Sequence, residues 1–286
     1  MIKLWLTHDL GNQLFALFSF MSYTIENSLK FRIISFHNKN MTGNMVYWKT
    51  LFSSFQKYIN RYVLIDRNQY LDDTFYENKL IQYTPVPDNL AKNSIIDCNF
   101  YSYKYFEKHF DEILKFTNIH SKKNKVKEEF HYLFDKKCIA IHFCMNDYIE
   151  KQDEFFIQKP EYYIHSIKNL EKDLKKNNES IKDYKFLYFC DEIDNIRVDQ
   201  FMKVIKCITK YELTFVKVDD NIDDWKQFLL MSCCSHFIIS NTKIAWFAAY
   251  ISNTHNNKIV YYPNKWFKID HDISDIVPDN WKTITI

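Results

Sequence analysis

From Cys138 onward the chain alternates short apolar runs with stretches of helical spacing, and this alternation constrains the fold more than any other feature. Cys138-Ile-Ala-Ile-His142 reads as a buried strand, Pro160 to Lys176 as a helix with proline near its start, and Lys185-Phe-Leu-Tyr-Phe189 as the next strand. A helix near Val198 to Ile208, a strand over Leu213 to Lys217, a helix over Asp224 to Met231 and a strand over His236 to Ser240 come next. The last repeats are a helix across Ile244 to Ser252, a strand over Lys258 to Tyr262 and a terminal tail. Strands joined through helices imply a parallel, doubly wound sheet with right-handed crossovers, because a parallel neighbour cannot be reached by a tight turn. The fold class is therefore α/β with a Rossmann-like C-terminal lobe, and site candidates belong just after the strands, where ligands gather in open parallel sheets.

The first half carries the same grammar more weakly. Ile2 to Leu6 reads as a strand, Thr7 to Gly11 as a turn, Asn12 to Asn27 as a helix, Ile33 to Phe36 as a strand and Met41 to Tyr62 as helical. Asp66 to Asn99 is irregular and ends in the apolar pair Ile95-Ile96, after which Tyr103 to Phe116 is helical. We expect an N-terminal α/β lobe over 1–120, a basic linker over 121–135 and a Rossmann-like C-terminal lobe over 136–286. The charge runs at Ser121 to Lys127 and Lys172 to Lys176 read as solvated faces or linker.

Composition excludes several classes. With 286 residues, 47% apolar and 26% charged, the chain can bury a large core and is not disordered. Lys and Arg total 38 against 36 Asp and Glu, so no whole-chain field favours nucleic acid. Only Gly11 and Gly43 are glycines, too few for the glycine-rich turn of a dehydrogenase. Seven cysteines without regular spacing suggest neither a disulfide framework nor a metal site. No run approaches the roughly 20 apolar residues of a membrane span, and no signal peptide is visible; the cytoplasm or a cytoplasmic membrane face is expected.

Four segments carry polar residues at strand ends. His8-Asp9-Leu10-Gly11-Asn12-Gln13 lies at a strand-to-helix turn, where free N–H groups can hold a hydroxyl-rich ligand, or where Asn12 simply caps the helix. His142 to Asp147 stands directly after a buried strand, as do the paired acids Asp191 and Glu192, which could contact a ribose, a base or a sugar, or cap the next segment. Ser240, Asn241 and Thr242 stand where a strand meets a helix start, a ready place for a diphosphate, with Lys243 adding charge and Trp246 further along.

Taken in order, these segments resemble the α-1,2-fucosyltransferases of glycosyltransferase family 11. The family's Gly-Gly-Leu-Gly-Asn-Gln-(Met/Leu)-Phe turn is similar to Leu10 to Phe15, and its Gly-Tyr-(Phe/Trp)-Gln-Ser-x-Lys-Tyr-Phe segment to Asn99 through Phe106. His-x-Arg-Arg-Gly-Asp resembles His142-Phe-Cys-Met-Asn-Asp147, Phe-Ser-Asp-Asp resembles Phe189-Cys-Asp-Glu192, and Ser-Asn-Ser-x-Phe-x-Trp-Trp resembles Ser240 through Phe247. Tyr262-Pro-Asn-Lys-Trp-Phe267 and Val277-Pro-Asp-Asn-Trp281 continue the likeness.

The resemblance implies a two-lobed GT-B-like fold and an inverting transfer of L-fucose from GDP-fucose to a galactose hydroxyl of a glycan acceptor, with no cofactor or metal required. It assigns Asn12, Cys144, Asp191, Glu192, Ser240, Asn241, Thr242 and Lys243 to the donor, and His8, Gln13 and Trp246 to the acceptor. His142 with Asp9 or Asp147 forms the catalytic group, either carboxylate serving as base. Two departures stand out. Cys144 occupies the place of the family's first motif arginine, removing a bidentate cation, and His8-Asp9 replaces two glycines. Lys243 is a candidate replacement charge. A different nucleotide-sugar donor, or a non-catalytic descendant that binds nucleotide or glycan, remains open on the same fold.

Overall fold

The computed structural model describes residues 1–6, 9–35, 47–60, 74–75, 81–88, 90, 94–96, 100–145, 153–210, 212–252 and 257–285. They divide into two compact units, Met1–Lys122 with Asp272–Asp279, and Lys123–His271 with Asn280–Ile286.

In the first unit, β1 (Ile2–Leu6) alternates buried and half-buried side chains and leads into α1 (Leu10–Glu26), which is buried along most of its length. β2 (Phe31–Ser35), β3 (Ile59–Asn60), β4 (Thr74–Phe75) and β5 (Ile95–Ile96) complete a parallel sheet in the order β3-β2-β1-β5-β4. The expected helix over Met41 to Tyr62 is corrected where it is described. Ser53–Tyr58 is a 3-10 helix, and the chain then becomes extended so that Ile59 pairs with Ile33. The apolar spacing at Trp48, Leu51, Phe52 and Phe55 suits either helix type, and a cluster with ring contacts from Phe52 to Phe55 and from Phe55 to Phe116 takes up these side chains. Two short 3-10 turns precede α2 (Phe110–Thr117), where the spacing predicts one helix from Tyr103. Residues expected to be linker lie largely in α3 (Ile119–Glu129), which starts after Asn118 takes a left-handed φ of 54°.

The segment Asp272–Asp279 packs in this first unit. Asp275 pairs with Lys104 and accepts a hydrogen bond from Tyr83 N at 2.7 Å, and Asp272 accepts one from Gln82 Nε2 at 3.2 Å.

The second unit holds β6 (Lys137–His142), β7 (Tyr184–Phe189), β8 (Thr214–Lys217), β9 (His236–Ile238), β10 (Val260–Pro263) and β11 (Lys282–Ile284). All pairings are parallel, in the order β11-β10-β9-β6-β7-β8. The chain starts in the middle with β6, steps outward through β7 and β8, then returns to β9 on the other side of β6. Right-handed crossovers accordingly put α4 (Pro160–Lys176) and α5 (Asn195–Ile208) on one face, and α6 (Asp224–Ser232) and α7 (Lys243–Tyr250) on the other. Alternate strand residues divide the core. Ile139, Ile141, Phe186, Tyr188 and Ile238 join Tyr162, Ile167, Leu170, Val198 and Met202 from α4 and α5 in one cluster.

Local pattern places β11 in the terminal tail. Its alternating Lys-Thr-Ile pattern is short and half polar, as an edge strand permits, so only its pairing with β10 reveals it. A polar lock secures it: Asp173 on α4 accepts from Tyr261 Oη on β10 at 2.6 Å, from Lys282 on β11 and from Lys176 at 2.9 Å. Burial alone would raise the Asp173 pKa, but these donors overcome it and hold the carboxyl well below the ordinary carboxylate range. Asp173→Ala leaves the Tyr261 hydroxyl and the Lys282 ammonium without their acceptor. We expect a loss of roughly 1–3 kcal/mol in denaturant unfolding at pH 7. The loss shrinks as pH falls below about 4, where the wild-type carboxylate is itself protonated on unfolding.

Candidate active site

The strand order of the second unit reverses between β6 and β9, so the carboxyl ends of those strands stand at the place where open parallel sheets gather ligands. β6 ends in His142, and β9 leads through Ile239 to Ser240. His142 Nδ1 lies 2.7 Å from Ser240 Oγ and 3.5 Å from Thr242 Oγ1, while the two hydroxyls are 3.3 Å apart. Segments nearly a hundred positions apart thus close a triangle at the point where the sheet's winding changes direction.

Each corner has a cause. His142 and Ala140 share a side of β6, opposite to the Ile139 and Ile141 cluster, so the imidazole is directed to the face covered by α6 and α7. Thr242 is the N-cap of α7: its hydroxyl accepts from Ala245 N at 3.3 Å in the extended conformation, with φ of −116° and ψ of 144°. Tyr162 Oη donates to Ile239 O at 2.6 Å, with Tyr261 O at 3.1 Å, and Tyr163 Oη donates to His142 O at 3.3 Å. Two adjacent tyrosines of α4 therefore pin the exits of β6 and β9 and the body of β10. Burial drives both phenols well above their usual pKa, keeping them protonated donors.

Although part of His142 remains accessible, protein packs around the ring and desolvation pushes its pKa down to about 4. The imidazole is neutral at pH 7. With Nδ1 engaged by Ser240, Nε2 is the nitrogen that can meet a ligand. Lys243, half-buried, opens the first turn of α7, where free N–H groups and the helix dipole favour an anion.

The remaining expected residues fall into distinct places. Asn241 is buried, donates to Phe156 O at 2.9 Å and Trp266 O at 2.7 Å, and accepts from Gln158 Nε2 at 3.3 Å. Its amide ties two loops together rather than facing a donor. Trp246, assigned to the acceptor, has 0% exposure and stacks on Tyr250 at 4.6 Å and tilts against Trp281 at 5.4 Å. It is core, because its side of α7 turns inward. Cys144 is buried and brings no charge to the end of β6. Asp191 and Glu192 are exposed after β7.

In the first unit the N-cap of α1 is Asp9, not Asn12. The Asp9 carboxylate accepts from Asn12 N and Asn12 Nδ2, both at 2.8 Å, so the pair are locked to each other at the helix start. Gln13 is fully buried and offers no surface to an acceptor. His8 and Asp147 lie outside the described residues.

Sequence alone does not single out Asp194. It is buried and accepts from Met145 N at 2.8 Å, fixing the course of the chain beyond Cys144. The only sequence signal is its place three residues past Asp191, in the acid-rich exit of β7. Among the described residues no cluster of His, Cys, Asp and Glu could hold a metal ion, and no helix is long and apolar enough to cross a membrane.

No protein-family model matches this sequence, and no curated protein matches it. Solved structures do. POFUT1 in complex with GDP-fucose superposes with a TM-score of 0.51 at 9% identity, over 94% of this chain and 98% of that one. POFUT1 in complex with GDP gives 0.51 at 10% identity, over 91% and 97%. NodZ α-1,6-fucosyltransferase soaked with GDP-fucose is looser, with a TM-score of 0.42 at 11% identity over 87% of this chain and 91% of that one. The chain is an α/β protein with parallel sheets, matching the fold of GT-B fucosyltransferase structures.

A second histidine reports on the base of the same sheet. His236, at the start of β9, is buried, accepts from Ile259 N at 3.2 Å and lies 3.2 Å from Tyr184 Oη. Burial lowers its pKa to about 4 as well. In the unfolded chain both histidines take up protons near 6.5, whereas in the fold they do so only near 4. Stability is complete above pH 6.5 and falls as pH is lowered toward 4. Thermal unfolding between pH 7 and 4.5 should show this decline, and His236→Gln should weaken the pH dependence.

Proposed function

We propose that this chain is a fucosyltransferase-like glycosyltransferase that binds a guanosine-diphosphate sugar, GDP-fucose first, at the carboxyl ends of β6 and β9. The observation that carries this reading is the His142–Ser240–Thr242 triangle. It puts a neutral imidazole and a capped helix start at the reversal point of a parallel sheet, on the fold of fucosyltransferase structures.

In the proposed inverting reaction an acceptor hydroxyl of a glycan attacks the anomeric carbon. The carbon–oxygen bond to the diphosphate breaks, the diphosphate leaves with the bonding pair, and the hydroxyl proton passes to a carboxylate base. Asp147, five residues past His142 in the sequence, is the carboxylate this proposal assigns to that base, since the Asp9 carboxylate is engaged as the N-cap of α1. The growing negative charge on the leaving group needs fixed positive partners in place before reaction. The N–H groups of α7, the Thr242 hydroxyl and the Lys243 ammonium supply them, while His142 Nε2 steadies the donor. Lys243 acts as a point charge, without the planar fork of an arginine. An α-1,2 linkage to galactose is the finer form of this proposal, and the resemblance of the motifs is its support.

The burial of Cys144 favours a second reading on the same scaffold. A neutral thiol at the end of β6 leaves the diphosphate one cation short of the family pattern, which suits a different nucleotide sugar or binding without turnover.

A thermal-shift and calorimetry series with GDP, GDP-fucose, GDP-mannose, UDP-sugars and dTDP-sugars separates these. A ligand at 100 times its dissociation constant stabilises the fold by about 2.7 kcal/mol, a shift of several degrees. We expect GDP and GDP-fucose to raise the melting temperature selectively. Lys243→Ala should reduce that response, read as the difference between the liganded and ligand-free melting temperatures of the same variant. A response to another nucleotide moves the donor, and silence throughout removes the nucleotide site.

A further inference from the structure

The outer surface of α4 and α5 carries a chemistry that the proposed reaction does not use. The two helices pack side by side on one face of the second sheet, with Tyr163 and Phe201 rings 6.4 Å apart between them. α5 buries Val198, Met202 and Ile205 against the core. Its opposite side would ordinarily be polar throughout. Here it is not: Ile193 just before the helix is 71% exposed, Ile196 77%, Val204 43% and Ile208 43%.

Cations surround these aliphatic side chains. On α5, Arg197 and Lys203 are exposed and Lys206 is half-exposed, with exposed Lys210 just beyond the helix end. On α4, Lys168 and Lys172 project from the solvent side four residues apart. None of these six has an ion-pair partner among the described residues, whereas their neighbours Lys175 and Lys176 are paired with Glu171 and Asp173. Apart from those paired carboxylates, Glu161 and Asp199 are the acids on the outward sides of the two helices; exposed Asp191 and Glu192 precede Ile193, and Glu212, paired with Lys182, follows Lys210. A chain with a net charge of only +2 thus concentrates unpaired positive charge on one helix pair, between aliphatic residues held out into water.

We propose that the outer face of α4 and α5 is a docking surface for a bilayer rich in anionic phospholipid. The cations meet the headgroup phosphates, and Ile193, Ile196, Val204 and Ile208 enter the boundary between headgroups and acyl chains. Basic and aliphatic residues interspersed on one helix surface are the composition by which an interfacial helix lies in a membrane plane. A nucleic-acid surface would take the lysines but gain nothing from four exposed aliphatic side chains. A protein partner's hot spots favour aromatic anchors, which this face lacks. The charge complementarity selects the lipid surface, and the inference stands independently of which sugar is transferred.

The test is co-sedimentation of the full chain with vesicles of phosphatidylcholine alone and of phosphatidylcholine mixed with phosphatidylglycerol, at low and high salt. We expect binding to the mixed vesicles only, weakened by salt. Each cation removed near the surface should lower the partition coefficient roughly fivefold, so Lys203→Ala with Lys206→Ala loses on the order of twentyfold. Lys168→Ala with Lys172→Ala on the neighbouring helix serves as a second, structurally separate variant. Ile193→Ser with Ile196→Ser should weaken binding to the mixed vesicles at low and at high salt alike, because the apolar contribution is not screened. Melting temperatures of the variants, measured alongside, should show them folded at the assay temperature, so that lost binding reads as lost contact. Equal binding to both vesicle types, no vesicle binding, or variants that bind like wild type would each overturn the proposal. So would capture by heparin or single-stranded DNA without vesicle binding, which would make the face a polyanion site instead.

Discussion

A parallel sheet has no independent existence in water. Its strands need cover on both faces, and each must be reached by a crossover long enough to hold a helix. In the second unit this requirement generates almost everything else. β6 and β7 are apolar along nearly their whole length because both faces are packed. The outward walk through β7 and β8 and the return through β9 and β10 distribute two helices to each face. The carboxyl ends of all strands then lie on one edge, and at the reversal between β6 and β9 His142 meets Ser240. Tyr162 and Tyr163 act on this same constraint by holding three strand ends through buried phenol hydrogen bonds.

The electrostatics of the site arise from its burial. Desolvation keeps His142 neutral and Cys144 brings no charge. Positive potential there depends on α7 and Lys243 rather than on a guanidinium at the end of β6. Backbone dipoles and an ammonium present an anion with a less directional partner than the planar fork of a guanidinium. Cations without ion-pair partners among the described residues lie elsewhere, on the outer face of α4 and α5.

Much of the site is legible in the unfolded sequence. His142, Ser240 and Thr242 each stand at or just beyond the limit of an apolar run, and the period of that run tells where the strand ends. Asp191 and Glu192 are legible for the same reason. Trp246 and Gln13 mislead because a helix residue's side is set by what the helix packs on, and both turn inward to the core. Asn241 shows a third case: its polar type is plain, but its partners, the carbonyls of Phe156 and Trp266, lie 85 and 25 residues away. Asp9 rather than Asn12 caps α1 because the cap must be in extended geometry, one residue before the first helical turn.

The sequence by itself determined, for the second unit, the alternation of strands and helices, the parallel class of the sheet and the residues at the exits of its inner strands, because all of these depend on local periodicity. Tertiary structure alone decided that β11 joins the edge of the second sheet, that Asp272–Asp279 belongs to the first unit, and that His142 meets Ser240. Those outcomes rest on pairing between distant segments, whose partners are selected by packing and by the satisfaction of buried polar groups, and no local pattern encodes that choice.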